Sequence, residues 1–82
     1  NDPIGSLGNL TCFSFHPRKV ITTGEGGMVT TNDPQLADVV GSLRNHGSTG
    51  YEKNIAKIGP YTMGTFNRLG SNYRLSDIQA AI

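Results

Sequence analysis

Lys19 is the residue of this 82-residue chain with the widest chemical reach. It follows Pro17 at the end of an apolar run and precedes a β-branched, glycine-rich segment. A lysine at such a rigid corner serves as a Schiff-base nucleophile where its surroundings favour the neutral amine. The alternative is an ordinary exposed lysine, the commoner state. Ser14 precedes it on the apolar run and could turn its hydroxyl toward the same cavity to bind a phosphate oxygen. A satisfied buried serine is the plainer reading. The Gly24–Gly27 stretch (GEGG) invites comparison with a phosphate-binding loop. It lacks the G-x-x-x-x-G-K-[ST] spacing and no helix follows it directly, so it reads as a tight turn.

The remaining polar candidates exclude more than they propose. His16 and His46 lie far apart, with Cys12 as the single cysteine and no carboxylate cluster beside them. That spacing offers no metal site. Cys12 sits inside the apolar run, where an inert core thiol is expected rather than a nucleophile. Asn72, Tyr73 and Arg74 form a polar cluster just before a helix start. Arg74 could fork onto a carboxylate or phosphate, or make a surface salt bridge.

The elements that must position these groups are partly legible. Leu10–Phe15 (LTCFSF) reads as a strand with apolar groups on both faces, as inside an α/β sheet. Pro17 ends it, Val20–Thr23 suggests a brief strand, and Met28–Thr31 another, with the glycine turn between them. A helix is expected from Pro34 to Asn45. Asp33 is its N-cap, Pro34 its first residue, and Leu36, Val39, Val40 and Leu43 make one apolar stripe. Arg44 falls in its last turn and Gly47 stops it. From His46 to Leu75 no periodicity is strong, although Tyr51, Tyr61, Phe66 and Tyr73 offer groups to bury. A structureless stretch of that length suggests a functional or interfacial loop. Ser76 and Gln79 then form a capping box, opening a helix through Ala80–Ile82.

Composition sets the outer bounds. Ile, Leu, Val and Phe supply 19 of the 82 residues, just above the roughly 20% below which disorder is expected. Eleven glycines further thin the core an autonomous domain could build. A net charge of +1 with scattered basic residues gives no footprint for nucleic acid. No apolar run approaches the ~20 residues of a membrane span. The opening residues Asn1–Gly5 have neither a basic nor an apolar signal region. A soluble, cytoplasmic protein is the expectation. A well-capped helix of only about two turns at the end also suggests a piece of a longer fold.

Three ordered strings now combine. Cys12–Val29 (CFSFHPRKVITTGEGGMV), Leu43–Gly47 (LRNHG) and Leu69–Ala81 (LGSNYRLSDIQAA) resemble the DegT/DnrJ/EryC1/StrS family of sugar aminotransferases, which use pyridoxal 5′-phosphate (PLP). Pro3–Gly8 (PIGSLG) resembles the strand and turn that precede them. The resemblance covers essentially the whole chain. It implies that Lys19 carries the cofactor in an imine linkage and moves the proton between substrate α-carbon and cofactor C4′. It implies that Ser14 hydrogen-bonds the PLP phosphate and that Asn72 reaches the phosphate of the PLP in the neighbouring subunit. Arg74 would support that loop or touch substrate, and Gly24, Gly26 and Gly27 would shape the turn after the lysine.

The implied fold is α/β: residues 1–82 would form part of the large, PLP-binding domain of an aspartate-aminotransferase-like, fold type I enzyme. Its sheet is mainly parallel and its homodimer shares active sites, with the glycine- and aromatic-rich loop at the interface. The implied reaction transaminates a keto-sugar nucleotide to an amino sugar, with glutamate as donor. An intact Lys19 argues against the dehydratase branch, where histidine replaces the lysine. Other family features have no counterpart within residues 1–82: the aspartate for the pyridine nitrogen, the group that stacks on the ring, a glycine-threonine phosphate region and the small domain. Asp2 is not assigned to the pyridine. The expectation is therefore a polypeptide inactive by itself. The alternative is a non-catalytic, truncated module that dimerises or pairs with a full-length relative.

Overall fold

In the computed structural model, residues 1–49 and 64–82 are described. Tyr51 and Tyr61, with the middle of the long loop, lie outside them. The chain divides into two units, Asn1–Asp38 with Leu75–Ile82, and Val39–Arg74. Each has its own hydrogen-bond logic.

In the first unit, β1 (Thr11–Ser14) pairs antiparallel with β2 (Gly27–Thr30). The register sets Cys12 against Val29, Phe13 against Met28 and Ser14 against Gly27. Alternation along β1 half-buries Thr11 and Phe13 and exposes Cys12 and Ser14. The run is therefore one-sided rather than apolar on both faces, and Cys12 is exposed rather than a core thiol.

Val20–Thr23 does not form the expected strand. Val20 and Ile21 are exposed, so their β-branched side chains lack the packing that makes such residues favour strands. The threonines spend their hydrogen bonds locally: Thr22 Oγ1 donates to the Phe15 carbonyl at 2.7 Å and accepts from Gly24 N at 3.1 Å. The hairpin thus joins β1 to β2 through a long loop, residues 15–26, with Lys19 inside it. Pro3–Gly8 is also turn rather than strand. Both the Ser6 amide and hydroxyl donate to the Pro3 carbonyl, at 3.1 and 2.8 Å, which closes the backbone on itself. Thr30 Oγ1 then ties this turn to the hairpin through the Gly5 carbonyl at 2.7 Å.

Helix α1 (Pro34–Leu43) begins as expected, with Asp33 Oδ1 accepting from the Gln35 and Leu36 amides at 2.8 and 3.3 Å. Leu36, Val39 and Val40 are half-buried, while Leu43 is exposed. The helix ends two residues earlier than the periodicity suggests, leaving Arg44 beyond its last turn. His46 and Gly47 take φ of 59° and 76°, which turns the chain out of the helix. The Ser42 carbonyl accepts from both Asn45 N at 3.0 Å and Gly47 N at 2.8 Å.

The second unit is built on that helix end. Strand β3 (Ser48–Thr49) pairs antiparallel with β4 (Thr65–Phe66), and an isolated bridge joins Asn45 to Asn72. Short ladders thus organise both ends of the stretch that shows no periodicity. Both described ladders are antiparallel; the mainly parallel sheet implied by resemblance is not represented among the described residues. Helix α2 (Asp77–Ala81), in the first unit, carries the full capping box of Ser76 and Gln79. No helix is long and apolar enough to cross a membrane among the described residues. No hydrophobic residue is buried among them either; Ser42 is the buried polar residue, at 7% exposure.

Candidate cofactor site

The end of β1 delivers Ser14 and Lys19 through a chain of short-range hydrogen bonds. Ser14 Oγ accepts from the His16 amide at 3.3 Å. His16 Nδ1 accepts from the Arg18 amide at 3.2 Å, and the His16 carbonyl accepts from the Lys19 amide at 2.9 Å. Pro17 presets the backbone between them, as suits the second position of a tight turn. The Ser14 oxygen therefore works as an acceptor toward its own backbone, leaving its O–H proton for an external acceptor. Ser14 and Lys19 are both exposed, and the Lys19 amine makes no hydrogen bond among the described residues. A hydroxyl donor at the end of β1 and a primary amine on the turn that follows suit an anionic ligand carrying an electrophilic carbonyl.

The return limb of the loop is fastened back onto Phe15. The Phe15 amide donates to Gly26 at 2.9 Å, and the Thr23 amide donates to Phe15 at 3.2 Å. Gly26 has φ of 152°, and a Cβ there would lie 2.6 Å from Thr23 Oγ1 and 2.9 Å from Leu75 Cδ1. The glycine turn expected after Lys19 thus has steric cause at Gly26.

Asn72 and Arg74 belong to the second unit. Main-chain bonds set this segment onto carbonyls at and just beyond the end of α1: Ser71 N donates to Leu43 O and Tyr73 N to Arg44 O, both at 2.9 Å. Asn72 Oδ1 accepts from Arg74 N at 3.3 Å. With its oxygen engaged inward, the exposed carboxamide has its N–H groups left to donate. The Arg74 guanidinium donates to Asn45 Oδ1, and Asn45 Nδ2 donates to Ser48 Oγ at 2.9 Å. Sequence reasoning missed Asn45 as the hub of this cluster. It also missed Gln79, whose Nε2 donates to the Glu25 carbonyl at 2.9 Å. The usable signal for Gln79 was chemical, since a capping-box glutamine keeps two N–H donors that the cap does not use. No group of histidine, cysteine and carboxylates that could hold a metal occurs among the described residues.

The family model of the DegT/DnrJ/EryC1/StrS aminotransferase family matches residues 1–82. The chain belongs to this family. The DegT/DnrJ/EryC1/StrS chain is 46% identical over 78 residues to a GDP-perosamine synthase of Caulobacter vibrioides, covering 95% of this chain and 18% of that protein. It is 42% identical over 79 residues to a UDP-4-amino-4,6-dideoxy-N-acetyl-β-L-altrosamine transaminase of Campylobacter jejuni, covering 96% and 19%. An aminotransferase structure from Psychrobacter cryohalolentis superposes with a TM-score of 0.80 at 35% identity, covering 95% of this chain and 20% of that one. The chain thus spans about a fifth of the length of the curated relatives it matches. Its α/β fold is part of the large domain of an aspartate-aminotransferase-like, fold type I transferase.

Proposed function

We propose that this chain contributes the lysine-bearing part of a PLP-dependent aminotransferase that converts a keto-sugar nucleotide to an amino sugar, with glutamate as amino donor. The observation that carries the reading is the short hydrogen-bonded segment from the end of β1 to the turn at Lys19, which holds an exposed Lys19 amine and a Ser14 hydroxyl with an unspent proton. Family membership and the sugar transaminase among its relatives support it. These residues fit the cofactor, because a phosphate calls for donors and a carbonyl for an amine. When bound, PLP supplies the electron sink for transamination.

The chain's own groups would then divide the work. Lys19 Nζ would hold the cofactor and carry a proton to and from the reacting carbon. Ser14 would donate its hydroxyl proton to the phosphate, a charge-assisted bond. Asn72 would donate its carboxamide N–H groups to a phosphate bound by the neighbouring subunit of a homodimer. Arg74 would hold the Asn72 loop through Asn45. A cytoplasmic setting matches nucleotide-sugar substrates. In this reading residues 1–82 are an incomplete PLP-binding domain and have no turnover alone. The absence of a buried hydrophobic residue among the described ones supports that view.

The test is a coupled transamination assay on the full-length polypeptide that carries this segment, with glutamate and a panel of keto-sugar nucleotides. Turnover that is lost in Lys19→Ala and greatly reduced in Ser14→Ala is the expected result. Unchanged turnover in Lys19→Ala would overturn the reading.

A further inference from the structure

The carboxamide of Gln79 has every hydrogen-bonding position committed. Its Oε1 accepts from Ser76 N at 3.1 Å and from Ser76 Oγ at 3.0 Å. Its Nε2 donates to Glu25 O at 2.9 Å and to Thr23 O at 3.5 Å. One side chain therefore performs two separable tasks. The oxygen caps α2, and the nitrogen grips the return limb of the loop between β1 and β2, more than fifty positions away in the chain.

That grip adds a tie from a distant part of the chain to a limb otherwise held from within the hairpin. Phe15 anchors the limb through Thr22, Thr23 and Gly26, and Thr23 Oγ1 adds a bond to the Glu25 carbonyl at 2.9 Å. Val20 and Ile21, just after Lys19, are exposed and contribute no packing. Without Gln79 the limb would keep only its bonds to Phe15 and its own turns, and exposed segments held so sparsely open at low free-energy cost. We propose that Gln79 is a positioning residue that fixes the loop carrying Lys19, acting through the carbonyls of Glu25 and Thr23 rather than through the helix cap. Its importance for cofactor binding rests on the reading of Lys19 given above.

The two tasks can be cut apart. Gln79→Glu keeps oxygens for the cap but removes both N–H donors and sets a carboxylate oxygen against two carbonyl oxygens. Ser76→Ala removes the cap hydroxyl and leaves the Nε2 donors in place. Gln79→Met, neutral and of similar size, guards against an effect of charge alone. In the full-length polypeptide, amide hydrogen exchange at Phe15 and Thr23 reads the loop, and borohydride trapping of PLP at limiting cofactor reads the amine. Circular dichroism establishes that each variant folds. The expected result is exchange about tenfold faster in Gln79→Glu and Gln79→Met, and within about twofold of wild type in Ser76→Ala. PLP trapping should fall in the same two variants and not in Ser76→Ala. Unchanged exchange in both Gln79 variants, or equal effects in Ser76→Ala, would overturn the proposal. If exchange follows the expected pattern while wild-type protein traps no PLP at Lys19, the cofactor reading fails and the loop-holding role stands. If Gln79→Glu does not fold, Gln79→Met decides.

Discussion

Gly70 lies so close to Gly47 that a Cβ built on Gly70 would strike the Gly47 backbone nitrogen; it would also sit 2.6 Å from the Leu43 carbonyl oxygen. Both obstacles are backbone, so neither can swing aside. The close approach lets the Asn67 and Arg68 amides donate to Gly47 O at 3.2 and 3.3 Å. It also lets Ser71 and Tyr73 satisfy the carbonyls at the end of α1, which places Asn72. Gly70→Ala should destabilise the full-length protein by about 1–3 kcal/mol, as overpacking does. A urea midpoint reads this directly, and an unchanged midpoint would show that the two backbones can separate freely.

Asp33→Ala should cost about 1 kcal/mol through loss of the α1 N-cap, while Asp33→Ser should retain most of it. Thermal unfolding of the two variants checks the order. Equal losses would mean that the Asp33 charge, rather than its capping geometry, supports the helix.

Arg74→Ala should free Asn45 and loosen the segment that carries Asn72. If Asn72 serves a phosphate, apparent PLP affinity should weaken about fivefold, the equivalent of one ordinary hydrogen bond. Arg74→Lys should rescue part of the loss, because the contact to Asn45 is a single N–H donor that an ammonium can also supply. A rise in the KM for the sugar nucleotide with unchanged PLP affinity would instead place Arg74 against substrate.

The purified 82-residue polypeptide should melt without a cooperative transition. Among the described residues no hydrophobic side chain is buried, and Ile4, Val20, Ile21, Leu69 and Ile78 are all exposed. Burial of apolar area is the main favourable term in folding, and here little is available to offset chain entropy. A sharp calorimetric transition would contradict this.

Local signals in the sequence were reliable where the physics is local. The Asp33 cap, the Ser76–Gln79 box and the start of α1 each depend on residues within three or four positions, and each appears as expected. Val20–Thr23 misled because β propensity presumes a packed face, which Val20 and Ile21 lack. The end of α1 was overrun because the apolar stripe says nothing of the positive φ at His46. Bonds from Gln79 to Glu25 and from Arg74 to Asn45 join residues distant in the chain, and no periodicity encodes them. Ser14, Lys19, Asn72 and Arg74 stand out as candidates by type and position, but their roles rest on the family strings. Single residues of those types are common on any surface.

The central claim is that Lys19 holds PLP, and chemical trapping tests it most directly. Full-length protein incubated with PLP, reduced with borohydride and digested should yield one pyridoxyl-bearing peptide, modified at Lys19. Lys19→Ala should yield none, and Ser14→Ala should need more PLP to reach the same yield. A pyridoxyl group on a different lysine, or equal labelling in Lys19→Ala, would contradict the account.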